Sequence, residues 1–146
     1  MNSRRKFVMR TNSILAIPAI ILSLGVAPAR AEVCPAKSTS MDDIIAAVNA
    51  APACDRAMKV FESCQSGASA DVQFGEAVEK KCESDFLAGL KPPQTRAYQQ
   101  EMAVCDNRHR NQSGTMYLSF NAFCRARVAQ RYSQQALKAA GSKPSR

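Results

Sequence analysis

Six cysteines, Cys34, Cys54, Cys64, Cys82, Cys105 and Cys124, are the residues of this 146-residue chain whose type and spacing bear most directly on chemistry. Thiols can pass electrons, hold a metal or bridge one another. A dithiol redox centre uses Cys-x-x-Cys, and a zinc site gathers Cys and His ligands a few residues apart. Here the closest two cysteines are ten residues apart and His109 is the only histidine, so neither chemistry is expected, and no cofactor or metal site with it. Disulfide formation remains, and the positions support it. Cys54 and Cys82 reflect into one another about the Gly67-Ala68 bend, Cys82 and Cys105 about Pro92-Pro93-Gln94, and Cys105 and Cys124 about Gly114-Thr115. In a chain of antiparallel helical hairpins, residues equidistant from a bend lie level on neighbouring helices. Packed helices bring facing Cα atoms to roughly 4–5.5 Å, within the range of about 4.4–6.8 Å that a disulfide spans.

Two pairings satisfy this geometry. Cys34 and Cys64 are equidistant from Asn49, which leaves four level cysteines to pair among themselves. Either Cys54 joins Cys82 and Cys105 joins Cys124, or Cys82 joins Cys105 and Cys54 joins Cys124; consecutive hairpins favour the first. Cys54 with Cys64 is excluded on an unbroken helix, because ten residues rise about 15 Å.

The elements that must hold these positions are read from periodicity and breakers. Ser40 precedes an acidic first turn, Asp42 and Asp43, and an apolar helical pattern through Val48, so a first helix starts there and ends before Pro52. A second is expected over 52–65, with Cys54, Met58, Phe61 and Cys64 on its apolar face. A third, capped by Ser69 or Asp71, carries Phe74, Val78, Cys82, Phe86 and Leu90 at intervals of four, up to Pro92. A fourth is expected over 94–109 with Tyr98, Met102 and Cys105 inward. The last, over 115–139, begins at a turn in which Gly114 bends the chain and Thr115 caps, and it should turn Tyr117, Phe120, Cys124, Val128 and Tyr132 inward. Residues 141–146 read as a frayed tail. The fold class is therefore all-α: a small antiparallel bundle of about five helices over 32–140, stapled by three disulfides.

Arg4, Arg5, Lys6 and Arg10 precede an apolar run over 14–27, and Ala29-Arg30-Ala31 supplies small residues at alternate positions. This is the layout of an export signal cleaved near Ala31, residues 1–31, and the run falls short of the roughly twenty apolar residues a membrane span needs. Ser3-Arg4-Arg5-Lys6-Phe7-Val8 also has the form of a bacterial twin-arginine signal. Even cysteine numbers behind such a signal point to the periplasm or exterior of a bacterium. The net charge of +8 belongs largely to that signal: from Glu32 onward fifteen Lys and Arg face twelve Asp and Glu, leaving +3. The balance is uneven, with seven basic and twelve acidic residues over 32–106 and eight basic and no acidic ones over 107–146.

Catalytic chemistry finds little support. His109 lies between Arg108 and Arg110 with no apparent Ser, Cys or Asp partner, and reads as a solvated surface residue. Asp42 with Asp43, and Glu79, Glu83 and Asp85, read as solvated helix carboxylates rather than an acid pair. No phosphate loop, haem motif or nucleophile elbow occurs, so no catalytic residue and no enzyme is expected. The arginines are the better candidates. Arg127 and Arg131 share a stripe of the last helix with Lys138, Arg125 lies beside it, and Arg108 and Arg110 flank the preceding turn. Arg108, Arg110, Arg127 and Arg131 are thus candidate contacts for an anionic envelope surface, lipid or polymer, whereas nucleic acid is not an expected partner of an exported chain.

The least generic stretch is Gly114-Thr115-Met116, followed eight residues on by Cys124 and seven later by Arg131. It resembles the end of the LprI-type periplasmic lysozyme-inhibitor domain, a small helical disulfide-linked module. Cys54 and Cys64 with Ala57 between them resemble that family's N-terminal cysteines, and Tyr98-Gln99 falls near its central helix. Where the family carries Gln-Arg-x-Trp-x-x-x-Arg-Asp, this chain, which has no Trp, reads Gln99-Gln100-Glu101-Met102-Ala103-Val104-Cys105-Asp106. The resemblance carries over Cys105, Gly114, Thr115 and Cys124 as scaffold positions and no inhibitory residue. It implies an exported binding protein whose partner is a lysozyme, a cationic enzyme that the acidic 32–106 half would suit.

Overall fold

A computed structural model of the protein describes residues 32–141. The expected export signal and the tail beyond Gly141 lie outside the described residues. Five α-helices follow in order, α1 Met41–Ala50, α2 Cys54–Cys64, α3 Ala70–Glu83, α4 Pro92–Arg108 and α5 Thr115–Gly141, with a 3-10 turn, Leu87–Gly89, between α3 and α4. The domain is all-α, and three disulfides staple it: Cys34–Cys64, Cys54–Cys82 and Cys105–Cys124, with Cα separations of 4.7, 4.7 and 5.6 Å. Cys54 at the start of α2 meets Cys82 near the end of α3, so these helices are antiparallel; Glu101–Arg131 and Asp106–Arg125 contacts make α4 and α5 antiparallel likewise.

Local chemistry sets the boundaries. The Ser40 hydroxyl accepts the Asp43 N–H at 3.3 Å and opens α1. Gly67 closes the α2–α3 loop in the left-handed region, φ +70°. Pro92 and Pro93 do not precede α4 as a break but form its first turn, where a missing N–H costs nothing, and Gln94 reaches back to accept the Lys91 N–H at 2.9 Å. Gly114, φ +115°, turns the chain into α5 and its carbonyl accepts the Tyr117 N–H, so Thr115 is the first helical residue rather than the cap. The helix runs on to Gly141, where a tail was expected to begin.

The third helix departs most from its expected course. It stops at Glu83 instead of continuing to Leu90. The Ser84 hydroxyl bonds back to the Lys81 carbonyl at 2.6 Å, and Ser84 and Asp85 are weak helix formers. The break lets Phe86 swing away from the α3 face to meet Tyr98 and Tyr132, with ring centroids 5.1 and 5.5 Å apart.

Two cores result. The larger joins α1, α2, α3 and α5 around Val48, Met58, Phe61, Phe74 and Val78; the smaller gathers Phe86, Tyr98, Met102, Cys105 and Val128, so that α4 is held chiefly against α5 and not along α3. Helices α3 and α5 run parallel at the centre. Asp71 meets Ser119, Glu79 meets Arg125 and Asp85, just past the end of α3, meets Ser133, in the same order along both chain segments. The face of α5 that enters this contact is Ser119, Ala122, Ala126, Ala129 and Ser133, not the aromatic face, and Phe120 is 47% exposed. Small residues let the two backbones approach, and the closest point is Gly75, where a Cβ would stand 2.9 Å from the Ala122 Cβ and 3.1 Å from its carbonyl oxygen. Because backbone cannot yield as a flexible side-chain end would, Gly75→Ala should cost about 1–3 kcal/mol in urea unfolding despite its gain in helix propensity. Gly89→Ala, which meets nothing within 4 Å, is the control. Equal stability of the two variants would refute this close packing.

Candidate functional site

Helices α4 and α5 cross the molecule side by side, tied at Cys105–Cys124, and leave between them a groove of about 360 Å³. Its floor is the disulfide and Val128. Its walls carry Arg108 from the last turn of α4, Arg127 and Arg131 from successive turns of α5, and the apolar side chains Val104 and Phe120, 58% and 47% exposed. Among the described residues Glu101 is the one carboxylate in the lining, and it is taken up by Arg131 and by the Tyr132 hydroxyl, which donates to it at 3.0 Å. Arg127 lies 3.5 Å from Glu62, both ends well exposed, a contact that solvent screening makes weak. Its guanidinium also stands 6.0 Å from the Phe123 ring centre. Among the described residues no carboxylate pairs with Arg108 or Arg110. The groove thus offers an excess of guanidinium donors beside exposed apolar carbon, chemistry suited to an anionic ligand with an apolar portion.

Three of the four candidate arginines therefore converge, though 108 is distant from 127 and 131 in sequence. Arg110 does not line the groove: it sits beyond α4 at the turn, exposed. Arg125, read as part of the same basic patch, faces elsewhere. It forms a two-pronged pair with Glu79, at 2.8 and 3.0 Å, and meets Asp106 at 2.9 Å. Burial alone would lower its pKa, but these hydrogen bonds outweigh that and raise it, so it is a committed structural cation. Burial holds the Glu79 carboxyl above its usual range, more strongly than Arg125 lowers it.

The carboxylates read as solvated are largely engaged. Glu83 accepts the Tyr98 hydroxyl at 2.8 Å, and Asp85 accepts the Ser133 hydroxyl. Burial, then the Glu83 contact, raises the Tyr98 pKa. Asp55 accepts amide protons from Gln134 and Gln130, each at 2.8 Å, which lower its pKa. Around Glu79 opens a second, larger groove of about 720 Å³, bounded by α1, α3 and α5, in which Glu76, Glu79, Glu83 and Asp106 outnumber Lys80 and Arg125.

His109 departs from its expected solvated position. It ends α4 half-buried, its ring tilted against Tyr117 and Phe120 with centroids 5.5 and 5.9 Å away. This aromatic group braces the α4–α5 turn. A period-four reading placed Tyr117 and Phe120 in the core; their proximity to His109 across a five-residue turn was the available signal for a surface cluster instead.

The chain matches no protein-family model, no curated protein and no solved structure. Its three bridges belong to an oxidising environment, periplasmic or extracellular. Among the described residues no helix is long and apolar enough to cross a membrane, and no group of His, Cys, Asp and Glu is arranged to hold a metal ion.

Proposed function

We propose that this chain is an exported bacterial envelope protein, released into the periplasm or exterior by cleavage near Ala31, that works by binding, with the α4–α5 groove as the surface that meets an anionic lipid or polymer. The observation that carries this reading is the convergence of Arg108, Arg127 and Arg131 beside exposed Val104 and Phe120. The eight basic and no acidic residues over 107–146 supply the long-range attraction. Each cation near an anionic surface contributes about 1 kcal/mol. Arg127→Ala with Arg131→Ala should therefore weaken cosedimentation with phosphatidylglycerol vesicles by about tenfold or more, and raised salt should weaken the unaltered protein. Binding that ignores both salt and the substitutions would sink the reading.

A second reading, inhibition of a lysozyme, is favoured by the carboxylates of the larger groove, Glu76, Glu79, Glu83 and Asp106, which suit a cationic enzyme. The resemblance of the Gly114-to-Arg131 stretch to LprI-type inhibitors also supports it. Purified protein should then slow lysozyme digestion of bacterial walls, and Glu76→Lys should relieve the inhibition. Unchanged lysis at micromolar excess removes this reading.

A further inference from the structure

Three of the eight large apolar side chains exposed among the described residues stand together in the first turns of α5. Met116, Leu118 and Phe120 in the first turns of α5 are 50, 48 and 47% exposed, and the first buried residue of the helix is Ser119. At about 100° per residue Met116 and Phe120 share one side of the helix, while Leu118 stands roughly opposite and borders the other groove. A protein partner laid along the bundle would cover one of these sides. A medium that surrounds the helix end covers all of them. Next to this end lie Arg108 and Arg110, which have no carboxylate partner among the described residues, and the contacting rings of His109 and Tyr117, which are amphipathic.

We infer that this end, the last turn of α4 with the first turns of α5, docks on an anionic lipid surface, Met116, Leu118 and Phe120 entering the headgroup layer while Arg108 and Arg110 lie on its phosphates. The inference rests on the anionic-ligand reading above and specifies its source: a soluble polymer neutralises arginines equally well but gives the three apolar side chains nowhere to go. The geometry suits shallow insertion. The Cys105–Cys124 bridge and the His109–Tyr117–Phe120 cluster of ring contacts brace the end, so little ordering accompanies contact, and apolar side chains beside cations are the composition of interfacial anchors.

The chain contains no Trp, so Met116→Trp gives a single fluorescent reporter. Leu137→Trp, 53% exposed and about 30 Å further along α5, is its control. With phosphatidylglycerol vesicles the Met116→Trp emission should shift to the blue and be quenched by spin-labelled lipid, while Leu137→Trp stays unshifted and unquenched. Polyphosphate in solution should leave both unchanged in emission. Leu118→Asp, with its helical circular dichroism intact, should weaken vesicle binding by about tenfold or more. Vesicles that bind the protein without shifting Met116→Trp overturn the insertion and leave the anionic groove standing. Binding to polyphosphate but not to vesicles makes the occupant a polymer and overturns it also. Failure to bind either removes the groove reading itself. A concentration-dependent blue shift without lipid makes a second copy of the chain the cover and equally overturns the proposal.

Discussion

Asp71→Ala is expected to cost the fold about 3–5 kcal/mol, at least about a fifth of the 5–15 kcal/mol that holds an ordinary domain together. Asp71 is fully buried, yet three donors point at its carboxylate: the Ser66 and Gly67 N–H groups at 3.1 and 2.8 Å, and the Ser119 hydroxyl at 2.6 Å. The first two tie down the α2–α3 loop and the third joins α3 to α5, so one side chain completes two junctions. Alanine removes every acceptor at once: the buried Ser119 hydroxyl is orphaned at about 1–3 kcal/mol, and the Ser66 and Gly67 N–H groups, on exposed loop residues, lose their bonds at about 1 kcal/mol each. Graded substitutions separate this from mere loss of volume. Ser119→Ala deletes one donor together with its bond and should cost only about 1 kcal/mol; Asp71→Asn keeps the shape but accepts fewer bonds and should fall between. Urea unfolding with an unchanged denaturant slope gives all three values. If Asp71→Ala lies within about 1 kcal/mol of the unaltered protein, the buried network is not what joins these elements.

Much of this scaffold was legible because its bends are written in residues with few alternatives. Gly67 and Gly114 adopt positive φ where another residue would be strained, and the cysteines reflected about those bends are bridged. The bend at Pro92 misled in part. Cys82 and Cys105 are equidistant from it too, but prolines tolerated in a helical first turn let α4 start early and lie along α5, leaving Cys82 to face Cys54. The α5 interior was read only in part: Cys124, Val128 and Tyr132 do turn into the smaller core, whereas Tyr117 and Phe120 do not. Aromatic periodicity selects Tyr117 and Phe120, but a helix packed between two neighbours has two inner faces, and the one against α3 is made of small residues. Ser119, Ala122, Ala126, Ala129 and Ser133 recur at intervals of three and four, which is itself a helical stripe, and Gly75 is its counterpart on α3.

The candidate site was readable to the extent that a stripe on one helix is readable. Arg127 and Arg131 follow from period four along α5 and line one groove. That Arg108 joins them, that Arg110 does not, and that Arg125 is spent on Glu79 and Asp106 depend on which helices neighbour which, and this is long-range information that no local pattern holds. The same limit concealed Asp71, whose position suggests a helix cap but whose carboxylate serves a preceding loop and a helix 48 residues away.

Reducing all three disulfides is expected to unfold the domain in the absence of denaturant. The bridges close loops of 30, 28 and 19 residues, and the loop-entropy relation assigns about 3–4 kcal/mol to each. Together they match or exceed the net stability of a domain this size, whose two modest cores cannot make up the difference. The single bridges should fail differently. Cys54 and Cys82 are buried in the larger core, so their double alanine variant loosens α2 from α3 and lowers stability throughout. Cys105 and Cys124 join α4 to α5, and α4 is otherwise held by the smaller core and a few polar contacts and not by the larger core, so their removal should leave α1, α2 and α3 protected from hydrogen exchange while α4 amides exchange faster. It should also weaken vesicle binding, because Arg108 would no longer be held opposite Arg127 and Arg131. A reduced protein that keeps its helical circular dichroism and a cooperative melt within a few degrees of the oxidised one would show that packing alone specifies this fold, and the mirror placement of the cysteines would need another cause.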